Sequence, residues 1–109
     1  MPLLARESAA VDEFCRWVRS RFGNRVRELA LFGSRARGDG DEESDVDILV
    51  VVSDLTGAER REIGQQSGDA VTHHDVIVAP FALSVARWDE LRARERAIAQ
   101  DIERDRVPL

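Results

Sequence analysis

The sequence predicts an α/β domain, on three observations: short apolar runs of strand length, amphipathic stretches of helical period between them, and Gly or Pro where the pattern changes. A first helix is expected from Glu7 to Phe22, where Val11, Phe14, Cys15, Val18 and Phe22 recur at helical spacing while Asp12, Glu13, Arg16 and Arg19 fall elsewhere. Gly23-Asn24 stops it in the manner of a left-handed cap. Leu29-Ala30-Leu31-Phe32 then reads as a buried strand ending at Gly33-Ser34, and the charged, glycine-bearing stretch from Arg35 to Ser44 reads as a loop with room for a helical turn at its start. The next strand runs from Asp45 to Val52. Thr56 with Glu59 has the form of a capping box, so a mostly exposed helix is expected from about Gly57 to about Ser67. Gly68-Asp69 breaks it, Val71 to Ala79 is a third strand rich in β-branched residues, and Pro80 ends that strand. The remainder is helical: Leu83, Val85, Trp88 and Leu91 mark one stretch, and Ala97, Ile98, Asp101 and Ile102 another, before Pro108.

A chain of 109 residues with 43% hydrophobic composition buries one core, so one domain over residues 1–109 is expected. Cys15 is the only cysteine and falls among apolar residues, which makes it a small core residue of a reducing compartment. No run approaches the roughly 18 apolar residues of a membrane span, so a cytoplasmic protein is expected. Net charge is −5, with 21 acidic residues against 16 basic ones, all arginine, and this argues against a sequence-independent grip on a nucleic-acid backbone.

The chemistry is concentrated in a few residues. Asp45 and Asp47 lie two apart before a wholly apolar run, Ile48 to Val52, and in a strand that spacing puts both carboxylates on one face. Like charges side by side require a cation, and Mg²⁺ takes carboxylate oxygens while bridging to phosphates. Gly33 lets the backbone approach a ligand closely, and the Ser34 hydroxyl and nearby N–H groups can donate to phosphate oxygens. Asp75, inside the expected third strand, is costly there unless it faces a partner, and beside the second strand it would complete a three-carboxylate cluster. Asp69 is a weaker candidate in the preceding turn. His73 and His74 would point to opposite faces of that strand and so would not share a metal; His73, with the parity of Asp75, is the one able to reach the site. Arg35 and Arg37 either meet a triphosphate, or are solvated loop charges, or pair with the Asp41-Glu42-Glu43 run. Trp17 and Trp88 are expected to pack.

Gly33-Ser34-Arg35-Ala36-Arg37-Gly38, followed by Ser44-Asp45-Val46-Asp47-Ile48-Leu49-Val50, resembles the signature of the DNA polymerase β-like nucleotidyltransferases, and in particular of the minimal nucleotidyltransferases. The resemblance extends over the whole chain. It implies a mixed sheet flanked by helices, ATP with Mg²⁺ as cofactor, and transfer of a nucleoside monophosphate to a hydroxyl with loss of pyrophosphate. By position, Gly33 and Ser34 would take the β- and γ-phosphates, Asp45 and Asp47 the metals, and Asp75 one metal and the nucleophile. Minimal members resemble antitoxins that pair with a HEPN-domain ribonuclease toxin and adenylylate one of its tyrosines. This chain contains no Tyr, so such an acceptor would belong to another protein. The outer strand and terminal helices, with Leu83, Trp88, Leu91 and Ile98, are the expected partner surface.

Overall fold

The computed structural model describes residues 3–38 and 45–109. Helix α1 (Ala5–Phe22) buries Val11, Phe14, Cys15, Val18 and Phe22, the stripe read from the sequence. Gly23, at φ +58°, ends it, and a single 3-10 turn leads into strand β1 (Val26–Phe32). A five-residue helix, α2 (Gly33–Arg37), leaves β1 directly and closes on Gly38, whose left-handed backbone donates its N–H to the Ser34 carbonyl at 3.0 Å. Strand β2 (Val46–Val52) follows. Helix α3 (Gly57–Gln66) opens on the expected box: Thr56 Oγ1 accepts from the Glu59 N–H at 3.1 Å, and Glu59 Oε1 accepts from the Thr56 N–H at 3.0 Å.

The structure corrects the sequence reading most after α3. Gly68 does not break the helical run, because Ser67 keeps helical dihedrals (φ −61°, ψ −21°) and a further helix, α4 (Gly68–His74), follows at once. Asp75 caps α4 in the left-handed region (φ 55°, ψ 43°), and strand β3 spans Val78–Ser84 rather than residues 71–79. The β-branched pair Val71-Thr72 is therefore helical, and Val71 is exposed. Tertiary context has overridden a strand propensity. Pro80 lies within β3 rather than ending it. Val46 donates its N–H to the Ile77 carbonyl at 2.9 Å, so the odd-numbered residues of β3 bond to β2 in this parallel ladder and Pro80, which lacks an N–H, faces away from it.

Ser84 Oγ caps helix α5 (Val85–Ala93) by accepting from the Arg87 N–H, and helix α6 (Ala97–Asp105) leads to a short strand, β4 (Val107–Pro108). The sheet order is β3-β2-β1-β4, with β1 antiparallel to β2 and β4 and with β2 parallel to β3. This is the mixed sheet flanked by helices that the resemblance implies.

Strand β2 is covered on both faces, which is why it reads as a continuous apolar run. Val46, Ile48, Val50 and Val52 pack with α1, Ile63 of α3 and Ala70 of α4. Leu49 and Val51 pack on the opposite face with Leu83, Trp88, Leu91, Ala99 and Ile102. Leu83, Trp88 and Leu91 are thus core rather than partner surface, and of the four residues expected there only Ile98 is exposed. Cys15 is buried, and desolvation pushes its thiol up to about 11, which leaves it an inert core residue.

Arg25 fastens the start of β1 to α3 through a forked pair with Glu59 (2.8 and 2.9 Å) and donates to the Ser53 carbonyl at 3.1 Å. The Arg25 guanidinium and the Thr56 N–H hold the Glu59 carboxyl down at about 2, from an ordinary 4.5. A carboxyl lowered by folding contributes stability that is complete above the ordinary value and is lost as pH falls toward about 2. Glu59→Gln is expected to lower the melting temperature at pH 7, with the gap to the parent closing as melts are repeated down to pH 2. A gap that stays constant with pH would contradict this assignment.

Candidate active site

Strand β1 ends beside the start of β2, and Phe32 pairs with Asp47 across the antiparallel ladder. The chain then turns sharply at Gly33, at φ +76°. A Cβ at Gly33 would lie 2.3 Å from Asp47 Oδ2 and 3.3 Å from its Cγ. Two independent constraints therefore exclude a side chain: the left-handed backbone and the carboxylate occupying the space. Ser34 and the following N–H groups start α2 immediately beside that carboxylate.

Asp47 has the parity of Leu49 and Val51, so it projects on the α5–α6 face, beyond the rows of that core. It is half-buried, whereas Asp45 just ahead of the strand is exposed. Burial pushes the Asp47 carboxyl above its ordinary value, the Asp45 charge pushes it in the same direction, and the Arg37 guanidinium opposes both. The two aspartates thus feel each other, as the two-residue spacing implied.

The two arginines of the Gly33–Gly38 segment separate in role. Arg35 was read as a phosphate contact or a partner of Asp41-Glu42-Glu43. Its side chain is instead fully buried and pairs with Glu7, whose side chain is 3% exposed. Glu7 Oε1 also accepts from the Leu4 N–H at 2.7 Å, so one carboxylate ties the start of α1 to α2. Breaking such a buried pair from one side costs about 3–5 kcal/mol, because the other charge is stranded. Arg35 is thus an anchor within the fold, its side chain turned to Glu7 rather than to the surface. Arg37 stays at the surface, pairing with Asp105 of α6 at 3.0 Å while its field reaches Asp47. Arg104 and Arg37 hold the Asp105 carboxyl below the usual carboxylate range. The acidic run Asp41-Glu42-Glu43 lies outside the described residues.

Asp75 is not the in-strand carboxylate expected. It precedes β3, on the cap of α4, and the β3 residue level with Asp47 is Ala79. Among the described residues, Asp45, Asp47 and Asp75 do not form a group whose ligand atoms all lie within 4.8 Å of one another. His73 and His74 are likewise helical rather than extended, and both reach Glu13 of α1. Sequence reasoning missed Glu7, Glu13 and Asp105 as partners, since each meets its basic residue across 28 to 68 positions of chain and no local pattern marks it.

Residues 11–104 match the nucleotidyltransferase domain family. The chain is 49% identical, over 41% of its length and 45% of the relative's, to MJ0604 of Methanocaldococcus jannaschii, a candidate protein adenylyltransferase. It is 61% identical, over 30% of its length and 31% of the relative's, to the protein adenylyltransferase MntA of Thermococcus cleftensis. These matches span less than half the length of either relative. A toxin–antitoxin structure solved with AMP-PNP shares the fold at a TM-score of 0.58 and 19% identity, over 89% of this chain and 70% of that one.

Removing the buried like charge has a readable consequence. Because folding raises the Asp47 carboxyl, its ionised form opposes folding, and stability present at acidic pH is lost as pH rises through the raised value. In chelator, Asp47→Asn is therefore expected to melt higher than the parent at pH 7, with the difference fading toward acidic pH. A variant that melts lower at pH 7 would show that the carboxylate is serving the fold.

Proposed function

The chain belongs to the nucleotidyltransferase domain family, and we propose that it is a protein adenylyltransferase acting as an antitoxin, transferring AMP from ATP to a tyrosine hydroxyl of a HEPN-domain toxin. The observation that carries this reading is the seating of the Gly33 backbone against Asp47, beside Asp45. That arrangement supports a role for the Gly33 backbone toward phosphate and for the two carboxylates toward a cation at one ligand.

The donor set fits a hard divalent cation: two carboxylates whose charges destabilise each other, one of them half-buried, with oxygen donors alone. Asp45 and Asp47 would hold it, and when bound it neutralises the triphosphate and the departing pyrophosphate. The residues of the chain do the rest. Gly33 admits the phosphates close to the backbone, the Ser34 hydroxyl donates to them, and Arg37, at the surface within the field of Asp47, supplies positive charge to the same group. The acceptor oxygen bonds to the α-phosphorus, the bond from that phosphorus to the β-phosphate oxygen breaks, pyrophosphate leaves, and the hydroxyl proton passes to solvent. Asp75, on the cap of α4 just ahead of β3, is assigned no step in this reading.

The acceptor lies on another protein, since the chain has no tyrosine. The similarity to MntA, a protein adenylyltransferase, supports AMP transfer to a protein, and the fold shared with a toxin–antitoxin structure supports a toxin partner. The test is incubation with ATP labelled at the α-phosphate, Mg²⁺ and the protein encoded by the adjacent gene. Label is expected on a tyrosine of that partner, falling about a hundredfold or more in Asp45→Asn and in Asp47→Asn. Label that persists in both variants, or a partner that is inhibited but unlabelled, would overturn the proposal.

A further inference from the structure

A cluster of metal-ligating side chains lies outside the site already described. His73 and His74 occupy the last turn of α4, and both meet Glu13, two turns into α1. His73 Nδ1 lies 3.0 Å from Glu13 Oε1 and 3.2 Å from Oε2, and His74 Nε2 lies 3.2 Å from Oε2. Adjacent helical residues diverge by about 100°. They converge here because one presents its near ring nitrogen and the other its far one. The donor atoms all lie within 4.8 Å of one another.

We propose that Glu13, His73 and His74 form a binding site for a borderline divalent cation of the Zn²⁺ type, bridging α1 and α4 and distinct from the Asp45–Asp47 site. The donor set is two imidazoles and one carboxylate, which suits Zn²⁺, Ni²⁺ or Co²⁺ and not Mg²⁺. The spacing suits it too. Ligand atoms about 2.0–2.1 Å from a tetrahedral centre are about 3.3 Å from each other, close to the separations already present between each ring nitrogen and the carboxylate. A cation would therefore replace these hydrogen bonds with little movement of either helix. The site is open on one side, with His73 half-exposed and His74 and Glu13 less so, which leaves room for water to complete the coordination.

The histidines would share a cation only as helical residues; in a strand they would face apart. The bridged elements pack on the same face of β2, so a cation there staples one layer of the core from outside.

The test is calorimetric titration of the tag-free full chain with ZnCl₂ in excess Mg²⁺, followed by the absorption spectrum with Co²⁺. One equivalent of Zn²⁺ is expected to bind and to raise the melting temperature. His73→Ala and His74→Ala should each weaken binding at least tenfold, while Asp45→Asn/Asp47→Asn leaves it unchanged. Both histidines are partly exposed, so truncating them is expected to leave the fold intact, and circular dichroism of each variant checks it. The Co²⁺ spectrum should show the intense visible bands of a low-coordinate site, lost in the histidine variants. Zn²⁺ that does not saturate below the millimolar range, histidine variants that bind as the parent does, or binding lost with the aspartates would each overturn the proposal.

Discussion

The close approach of the Gly33 backbone to the Asp47 carboxylate is the constraint around which the site is arranged. Strand β1 must end where it does, because Phe32 is the residue paired with Asp47, and the next residue must turn away with a positive φ while leaving no side chain in the gap. Only glycine meets both demands. The two halves of the motif, separated in sequence by a charged stretch, are a single construction: one supplies the carboxylate and the other the backbone that packs against it.

Two ion pairs hold that construction in place, and they differ in kind. The Glu7–Arg35 pair is buried, joins the start of α1 to α2, and would be expensive to break from either side. Its worth lies in fixing where the turn after Gly33 sits relative to the sheet. The Arg37–Asp105 pair links α2 to the end of α6, with Arg37 at the surface and the Asp105 side chain largely covered. It is weak by comparison, and under the proposed function its guanidinium is the one that would turn toward a phosphate. One segment of six residues, Gly33 to Gly38, thus contributes a close-approach glycine, a hydroxyl, a buried anchor and a surface cation.

What the sequence made legible followed from local chemistry. The stripe of α1, the box at Thr56 and Glu59 and the doubly buried β2 are periodic or capping signals, and each stands where its pattern put it. Gly33, Asp45 and Asp47 were visible for the same reason, since glycine beside a strand end and carboxylates at period two are short-range features. The segment from Gly68 to Pro80 was not. Its β-branched residues favour a strand in isolation, but packing of Ala70 into the core and the left-handed cap at Asp75 make it helix, shift β3 by several residues and remove Asp75 from the ladder. The partners Glu7, Glu13 and Asp105 were invisible because ion pairs closed across the fold leave no mark on local pattern. Strand β4 was hidden too, as two residues against β1 carry no period.

Placing a methyl group at Gly33 tests the central claim most directly. With the fold monitored by circular dichroism, binding of ATP and Mg²⁺ to Gly33→Ala should be measured beside the parent. The account expects a folded protein whose nucleotide affinity falls by at least tenfold, because the added carbon must displace Asp47 or the turn itself. A folded Gly33→Ala chain that binds ATP as tightly as the parent would contradict it.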